Sequence, residues 1–378
     1  MSRIMLAALA AVSVPATAWA HHGFGRFEMN RDVEYSGTLL GIDLVNPHSY
    51  MNLEIVGADG QPLEMRCEMR AAMLLKRSGW SEEMFVPGLP VQLTGHPHRD
   101  DPGSCYIETF TLGDGPTIDR NDQFTDEQTI DNSNRPYRLA NGEINLSDHW
   151  AVEQAVLTIP PAGGNGALVP RSHREAYAAG EITLEEIRAR NPRPSPPVYT
   201  AEGQAAADAF EMWSVDDNPR LSCQPTSIIF DWTFDWPINR IVQRFEENGE
   251  RVIDIDYGLY SFSRRIHVGM QAHPGDLTPS YAGHSIGRWE GDTLVVDTIG
   301  FEAGVLVPPT LNSEQMHIVE RFTLDPETMQ MTRRYTVTDP VYLAEPYTGQ
   351  DIVLVSATPF ERHPCEELTY EFSAEGTE

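Results

Sequence analysis

The stretch ATAWAHHGF places His21 and His22 directly after Ala18-Trp19-Ala20, a small-x-small pattern of the kind signal peptidase cuts. Cleavage after Ala20 leaves His21 with a free α-amine and an imidazole on one residue. Those two nitrogens chelate Cu(II), which favours nitrogen ligands in tetragonal geometry. A further imidazole completes a histidine brace. His48, in NPHSY beside a strand end, is placed to supply it, with His22 as an additional ligand. The plain alternative is that an N-terminal His-His binds Cu(II) adventitiously and His48 caps a turn.

Two more histidine groups stand out. GHPHRDD puts His96 and His98 two apart, which on a strand places both on one side as a weaker metal-binding pair. Pro97 between them favours an edge or a loop. Later in the chain, His267, His273, His284 and His317 accompany Asp297, Glu320 and Arg321. On inward strand faces such histidines would line a polar-floored pocket, and with a carboxylate they do acid–base work near neutral pH. In HIVERF, period two puts His317, Val319 and Arg321 on one face, and Ile318 and Glu320 on the other. An enzyme built from His267, His284, His317 and Asp297 requires at least three of the histidines to converge in one pocket. If they scatter over the outer wall, each satisfies only a local hydrogen bond. Arg288 and Arg321, with Arg264 and Arg265, are candidates for an anionic ligand or cofactor, against the commoner case of surface pairing with carboxylates.

These residues sit in a chain of net charge −29, which becomes −30 when Arg3 leaves with a leader. That sign excludes nucleic acid and anionic membranes as natural partners. The leader has Arg3, an apolar run over residues 4–14 and a break at Pro15. The run is too short to span a bilayer, and no later run approaches that length. The expectation is a periplasmic or secreted protein with no transmembrane segment after cleavage. Cys67, Cys105, Cys223 and Cys365 form no CxxC, so a zinc ribbon is disfavoured. In an exported chain they read as two disulfides, and locality favours Cys67–Cys105 and Cys223–Cys365. No GxSxG, HExxH, P-loop or GxGxxG pattern is present, which removes the common hydrolase, zincin and nucleotide readings.

The elements that position these side chains are mostly strands. VEYSGTLLGIDLVNPHSYMNLEIV predicts two strands meeting at Asn46-Pro47, LEMRCEM a third, AAMLLKRSGW one short helix ended by Gly79, and PVQLTGHPH and CYIETFTL two more strands. Five strands with a helix between the third and fourth is the order of an OB-type barrel. Residues 117–200 read as an irregular connector, with short helices at HREAYAAG and at TLEEIRARN, where Thr183 and Glu186 form a capping box. After a helix at AEGQAAADAFEMW, hairpins turn at Glu247-Asn248-Gly249 and Glu290-Gly291-Asp292, and further strands follow. This predicts a mainly β protein: leader 1–20, OB-like domain 21–116, connector 117–200, and an antiparallel barrel or meander over 201–378. DWTFDWP reads as a pocket lining or, more plainly, an alternating β-edge on the core.

On His21-His22, the strand–NPH–strand pattern, VQLTGHPH and the closing LGDG, residues 21–116 resemble an uncharacterised family of secreted bacterial proteins. The matching motif positions are His21, His22 and His48. The segment from NPRLSCQP to HIVERFTL is similar to a region of many secreted hypothetical proteins, and looks distantly like a lipocalin-type barrel. These resemblances imply export and fold, and no activity. The expected function is a binding protein with a copper site at its mature N-terminus and a C-terminal barrel for a small-molecule ligand or protein partner. The alternatives are an enzyme with a histidine-rich site in that barrel, and an exported interaction module with neither chemistry.

Overall fold

A computed structural model describes residues 27–367 apart from 29, 58, 123, 125–133, 159–166, 191, 213 and 261. The leader, His21 and His22 lie outside the described residues. The first barrel comprises β1 (Val33–Asp43), β2 (Tyr50–Val56), β3 (Pro62–Glu68), α1 (Ala72–Arg77), β4 (Pro90–Pro97), β5 (Ser104–Leu112) and a short β6 (Thr117–Asp119). The order β3-β2-β1-β4-β5 closes through a β3–β5 pairing, as an OB-type barrel requires. Leu39, Met51, Leu53, Met65, Leu93 and Phe110 fill it. The helix stops where expected, with Gly79 at φ 84°.

The connector supplies β7 (Asp148–Ala151), a separate hairpin of β8 (Ala155–Thr158) and β9 (Ala167–Pro170), α2 (Arg174–Ala179) and α3 (Leu184–Arg190). Thr183 Oγ1 accepts from the Glu186 amide at 3.2 Å, and Glu186 bonds back to Thr183 at 2.8 Å, which forms the predicted capping box. After α4 (Ala201–Ala209) comes the second barrel. Its strands are β10 (Ile238–Phe245), β11 (Arg251–Asp256), β12 (Ser263–Val268), β13 (His284–Glu290), β14 (Thr293–Ile299), β17 (His317–Leu324), β18 (Met331–Thr338) and β19 (Tyr347–Val355). A side ribbon, β15 (Gly304–Val307) with β16 (Thr310–Asn312), branches off between β14 and β17. The barrel closes as nine strands because β7 pairs with both β10 and β19. A strand from within the stretch read as connector therefore removes both open edges.

Parity constrains both barrels. A closed ring of an odd number of strands cannot alternate direction throughout, so at least one neighbouring pair must run parallel. The first barrel has β3–β5 and the second β12–β13, and the other pairings of each ring are antiparallel. A parallel pair needs a crossover connection, and residues 269–283 provide it between β12 and β13.

The second barrel is filled with side chains. Trp232, Ile266, Val296, Ile318 and Phe322 are buried. DWTFDWP is not a β-edge: Phe230–Trp232 forms a 3-10 turn that inserts Trp232 into the core. Beside it lies a buried ion-pair chain, Arg264–Glu320 at 2.6 Å, Glu320–Arg333 at 3.3 Å and Arg333–Asp351 at 2.6 Å. Arg333 also donates to the carbonyls of Ile228 and Ile229, at 2.8 and 3.1 Å, as a buried guanidinium requires.

Both expected disulfides are present, Cys67–Cys105 and Cys223–Cys365. The second anchors a C-terminal strap that returns to the first barrel, where Asn46 bridges Cys365 and Arg66 pairs with Glu366. Arg77 of α1 donates to the carbonyls of Trp236 and Val152, at 2.8 and 2.9 Å, and so ties the barrels together. Among the described residues no helix is long and apolar enough to cross a membrane.

Candidate functional site

One histidine centre lies at the end of the first barrel. The loop from β1 to β2 carries NPHS, and backbone bonds between Ser49 and both Met69 and Arg70 hold it against the end of β3. This brings His48 Nδ1 to 2.7 Å from Glu68 Oε1, with 34% of the His48 side chain exposed and Glu68 nearly covered. Desolvation works against a charged His48, but the Glu68 carboxylate outweighs it and holds the imidazole pKa above its ordinary value. In the neutral ring, with the Nδ1 proton directed at Glu68, Nε2 is the lone-pair nitrogen. The facing segment of the second barrel contributes Arg220 and Asp235, paired at 2.9 Å. Cys223, Asp235, Trp236 and Tyr260 in that region all have φ between 53° and 57°, a conformation that costs non-glycine residues energy and concentrates at functional sites.

His96 and His98 engage different partners and do not form the pair their spacing suggested. A β-bulge between Thr94 and Gly95 shifts the phase of β4, and His98 falls beyond the strand end at Pro97. His98 Nδ1 accepts from the amides of Asp100 and Asp101, at 3.1 and 2.9 Å. The buried His96 faces Glu108 with Nε2, and Asp32 and the Arg31 carbonyl with Nδ1.

The second centre is on the outer wall of the large barrel. His284 of β13 stacks on His267 of β12, with ring centroids 5.1 Å apart. His273, from the crossover, places Nδ1 2.8 Å from His284 Nδ1 and Nε2 3.0 Å from Asp297 Oδ1. His317 Nε2 reaches Asp297 Oδ2 at 3.1 Å, and His267 Nδ1 meets Glu250 Oε1 at 2.5 Å. The four histidines and Asp297 therefore converge, on the outer face and not the inner one. Period two explains this, because the inward positions of these strands are taken by Ile266, Ser285, Val296 and Ile318.

Proton bookkeeping orders the cluster. Asp297 accepts from His273 Nε2–H, His273 Nδ1 then accepts from His284 Nδ1–H, and His284 Nε2 keeps its lone pair. Burial alone would raise the Asp297 pKa, but the bonds from His273 and His317 outweigh it and the carboxyl titrates below its ordinary range. Desolvation, then the neighbouring His267 and His273, push the His284 pKa down.

Arg288 and Arg321, the candidates for an anionic ligand, both bind Glu290 at 2.7 Å on the exposed surface. This is the commoner surface pairing. A cavity between the barrels, lined by Met73, Arg77, Ile238 and His363 among others, holds about 70 Å³, room for about two waters at roughly 30 Å³ each.

Reading the sequence missed Glu68, Asp32, Glu108 and Glu250. Glu68 carried a usable signal, since it adjoins Cys67 at the end of a strand. The other three become partners only through strand register.

The fold and its histidine centres define a disulfide-bonded β protein of two closed barrels. Residues 8–105 match a family of unknown function (DUF6152), a span that includes most of the first barrel and His21, His22, His48 and His96. No curated protein and no solved structure matches the chain.

Proposed function

We propose that this is an exported metal-binding protein whose first barrel holds copper through His48 and the mature N-terminal residues His21 and His22. The observation that carries this reading is the His48–Glu68 contact at 2.7 Å. Metal-ligating histidines characteristically donate their other ring N–H to a carboxylate or carbonyl, which fixes the tautomer and aims the free nitrogen. Phe27 packs on Tyr106, which lies opposite Glu68 in register. Six residues upstream of Phe27, at up to ~3.6 Å each, give His21 the reach to that end of the barrel. The two disulfides fit the oxidising compartment that a cleaved leader implies.

The test is intact mass of the periplasm-purified protein, followed by Cu(II) titration with EPR. A chain starting at His21, with one tight type-2 copper lost in His48→Ala and weakened about 10-fold or more in Glu68→Gln, supports the reading. Binding weakens as pH falls through the raised His48 pKa, because the proton competes with the metal. A different N-terminus, or binding indifferent to His48, overturns it.

A second reading rests on the convergence at the large barrel. The Asp297–His273–His284 chain orients His284 Nε2 as a general base, and the depressed His284 pKa keeps that nitrogen neutral. The interior of this barrel is filled, so a substrate or partner would lie on its outer wall. Screening hydrolytic and isomerase substrates against wild type and His284→Gln tests this reading. Any activity unchanged in the variant is not produced by this cluster.

A further inference from the structure

We infer that Asp32, His96 and Glu108 form a second cation site, for a divalent first-row metal such as zinc, separate from the His48 centre. Their ligand atoms lie within 4.8 Å of one another. The construction is local. Asp32 precedes β1, whose Val33 pairs with Gly95. Glu108 sits on β5 beside Ile107, which also pairs with Gly95. The three residues thus meet around one bulge on β4, a device that re-aims a side chain out of the strand's regular alternation. Gly95 permits it, because a Cβ there would stand 2.5 Å from the Tyr106 carbonyl oxygen.

The imidazole is held in place. Only 7% of the His96 side chain is exposed, and the ring lies nearly parallel to Tyr106, 18° between planes. Nδ1 faces the Arg31 carbonyl at 3.2 Å and Asp32 Oδ1 at 3.3 Å, both acceptors, so it carries a proton. Nε2 lies 3.0 Å from Glu108 Oε2. In the neutral ring that is a lone pair against a carboxylate, a contact made favourable by a positive charge between them, either a proton on the ring or a bound metal ion. A metal ~2.0–2.1 Å from each atom subtends an N–metal–O angle of about 95°, an ordinary chelate. The Arg31 carbonyl then orients the ligand ring through its other nitrogen, as such carbonyls do at metal sites. Asp32 and Glu108 are 69% and 45% exposed, which leaves the mouth open to ions. One imidazole with two carboxylates suits zinc or manganese better than copper, which is selected by several nitrogens.

The experiment uses the full mature protein carrying His48→Ala, which removes the complete copper centre proposed above; metal held by the remaining N-terminal His21-His22 is the part indifferent to Asp32 and Glu108. Zn(II) is titrated by calorimetry, and Co(II) is followed by its visible spectrum. The expected result is one equivalent of Zn(II), weakened at least 10-fold by Glu108→Gln and by Asp32→Asn. Zinc should raise the melting temperature of the His48→Ala protein but not of the same protein carrying Glu108→Gln, each compared with its own metal-free form. His96→Gln should abolish binding, and if that variant does not fold, the two exposed carboxylates decide the question. Absence of a zinc equivalent, or zinc binding indifferent to both carboxylates, overturns the site. Neither result bears on the copper centre, which is read separately from the Cu(II) spectrum of the protein with His48 intact.

Discussion

The two barrels solve the same closure problem at different sizes. The five-stranded barrel is narrow enough for apolar side chains alone to fill it. The nine-stranded barrel is wider and fills its interior with Trp232 and the chain Arg264–Glu320–Arg333–Asp351. Each ring has one parallel seam, and each seam is secured differently. In the small barrel Cys67 and Cys105 stand directly opposite each other across β3 and β5 and are covalently joined. In the large barrel the crossover loop is bonded down through His273, to His284 of β13 and Asp297 of β14. The candidate chemistry gathers at both seams: Glu68 with His48 at the first, and His267, His273 and His284 at the second. Parallel closure brings together strand ends that an antiparallel meander keeps apart.

The sharpest way to break the contrast is to attack the charged interior. Glu320 is fully buried between two arginines. Glu320→Gln leaves both cations without their shared anion, and urea unfolding should show a loss of about 3–5 kcal/mol. The same removal of charge on the outer wall, Arg288→Ala, should stay within about 0.5 kcal/mol, because that pair is solvated. Opening the covalent seam comes next. Replacing Cys67 and Cys105 by Ser releases a loop of 38 residues, and the same unfolding assay should show a loss of about 2–4 kcal/mol.

A pH effect follows from Asp231, which burial pushes up to about 7. Its folded-state pKa lies above the unfolded value of 3.8, so the folded state holds a proton that the unfolded state releases. Stability contributed by this group is therefore present below about pH 4 and declines as pH rises to about 7. Denaturation midpoints measured across that range should flatten in Asp231→Asn. The smallest effect belongs to the second seam. His273→Gln removes a neighbour that depresses the His284 pKa, so the His284 titration followed by NMR should move upward. An unchanged titration would show that the two rings are not coupled.

Much of the architecture was legible because it is local. Period-two alternation marked the strands of both barrels, Gly249 and Gly291 marked their hairpins, and Thr183 with Glu186 marked the start of α3. The disulfide pairing followed from where each cysteine lies in the chain. β7 was not legible, since four residues, DHWA, carry too little pattern to announce a strand. The His96–His98 pairing failed for a related reason. His98 lies past the strand end at Pro97, where its Nδ1 accepts from the Asp100 and Asp101 amides, so the alternation that relates positions 96 and 98 on a strand no longer applies.

What the sequence by itself determined is the chemistry available: which residues bear imidazole, carboxylate and thiol groups, the alternation that builds strands, and a charge that attracts cations. Tertiary structure decided which of them meet. Asp32 lies far from His96 in the chain, Glu108 reaches it only through the register of β4 on β5, and His273 comes to Asp297 from a loop with no regular structure. Those encounters depend on ring closure and strand register, which are set by the packing of whole barrels. Local sequence carries no term for them.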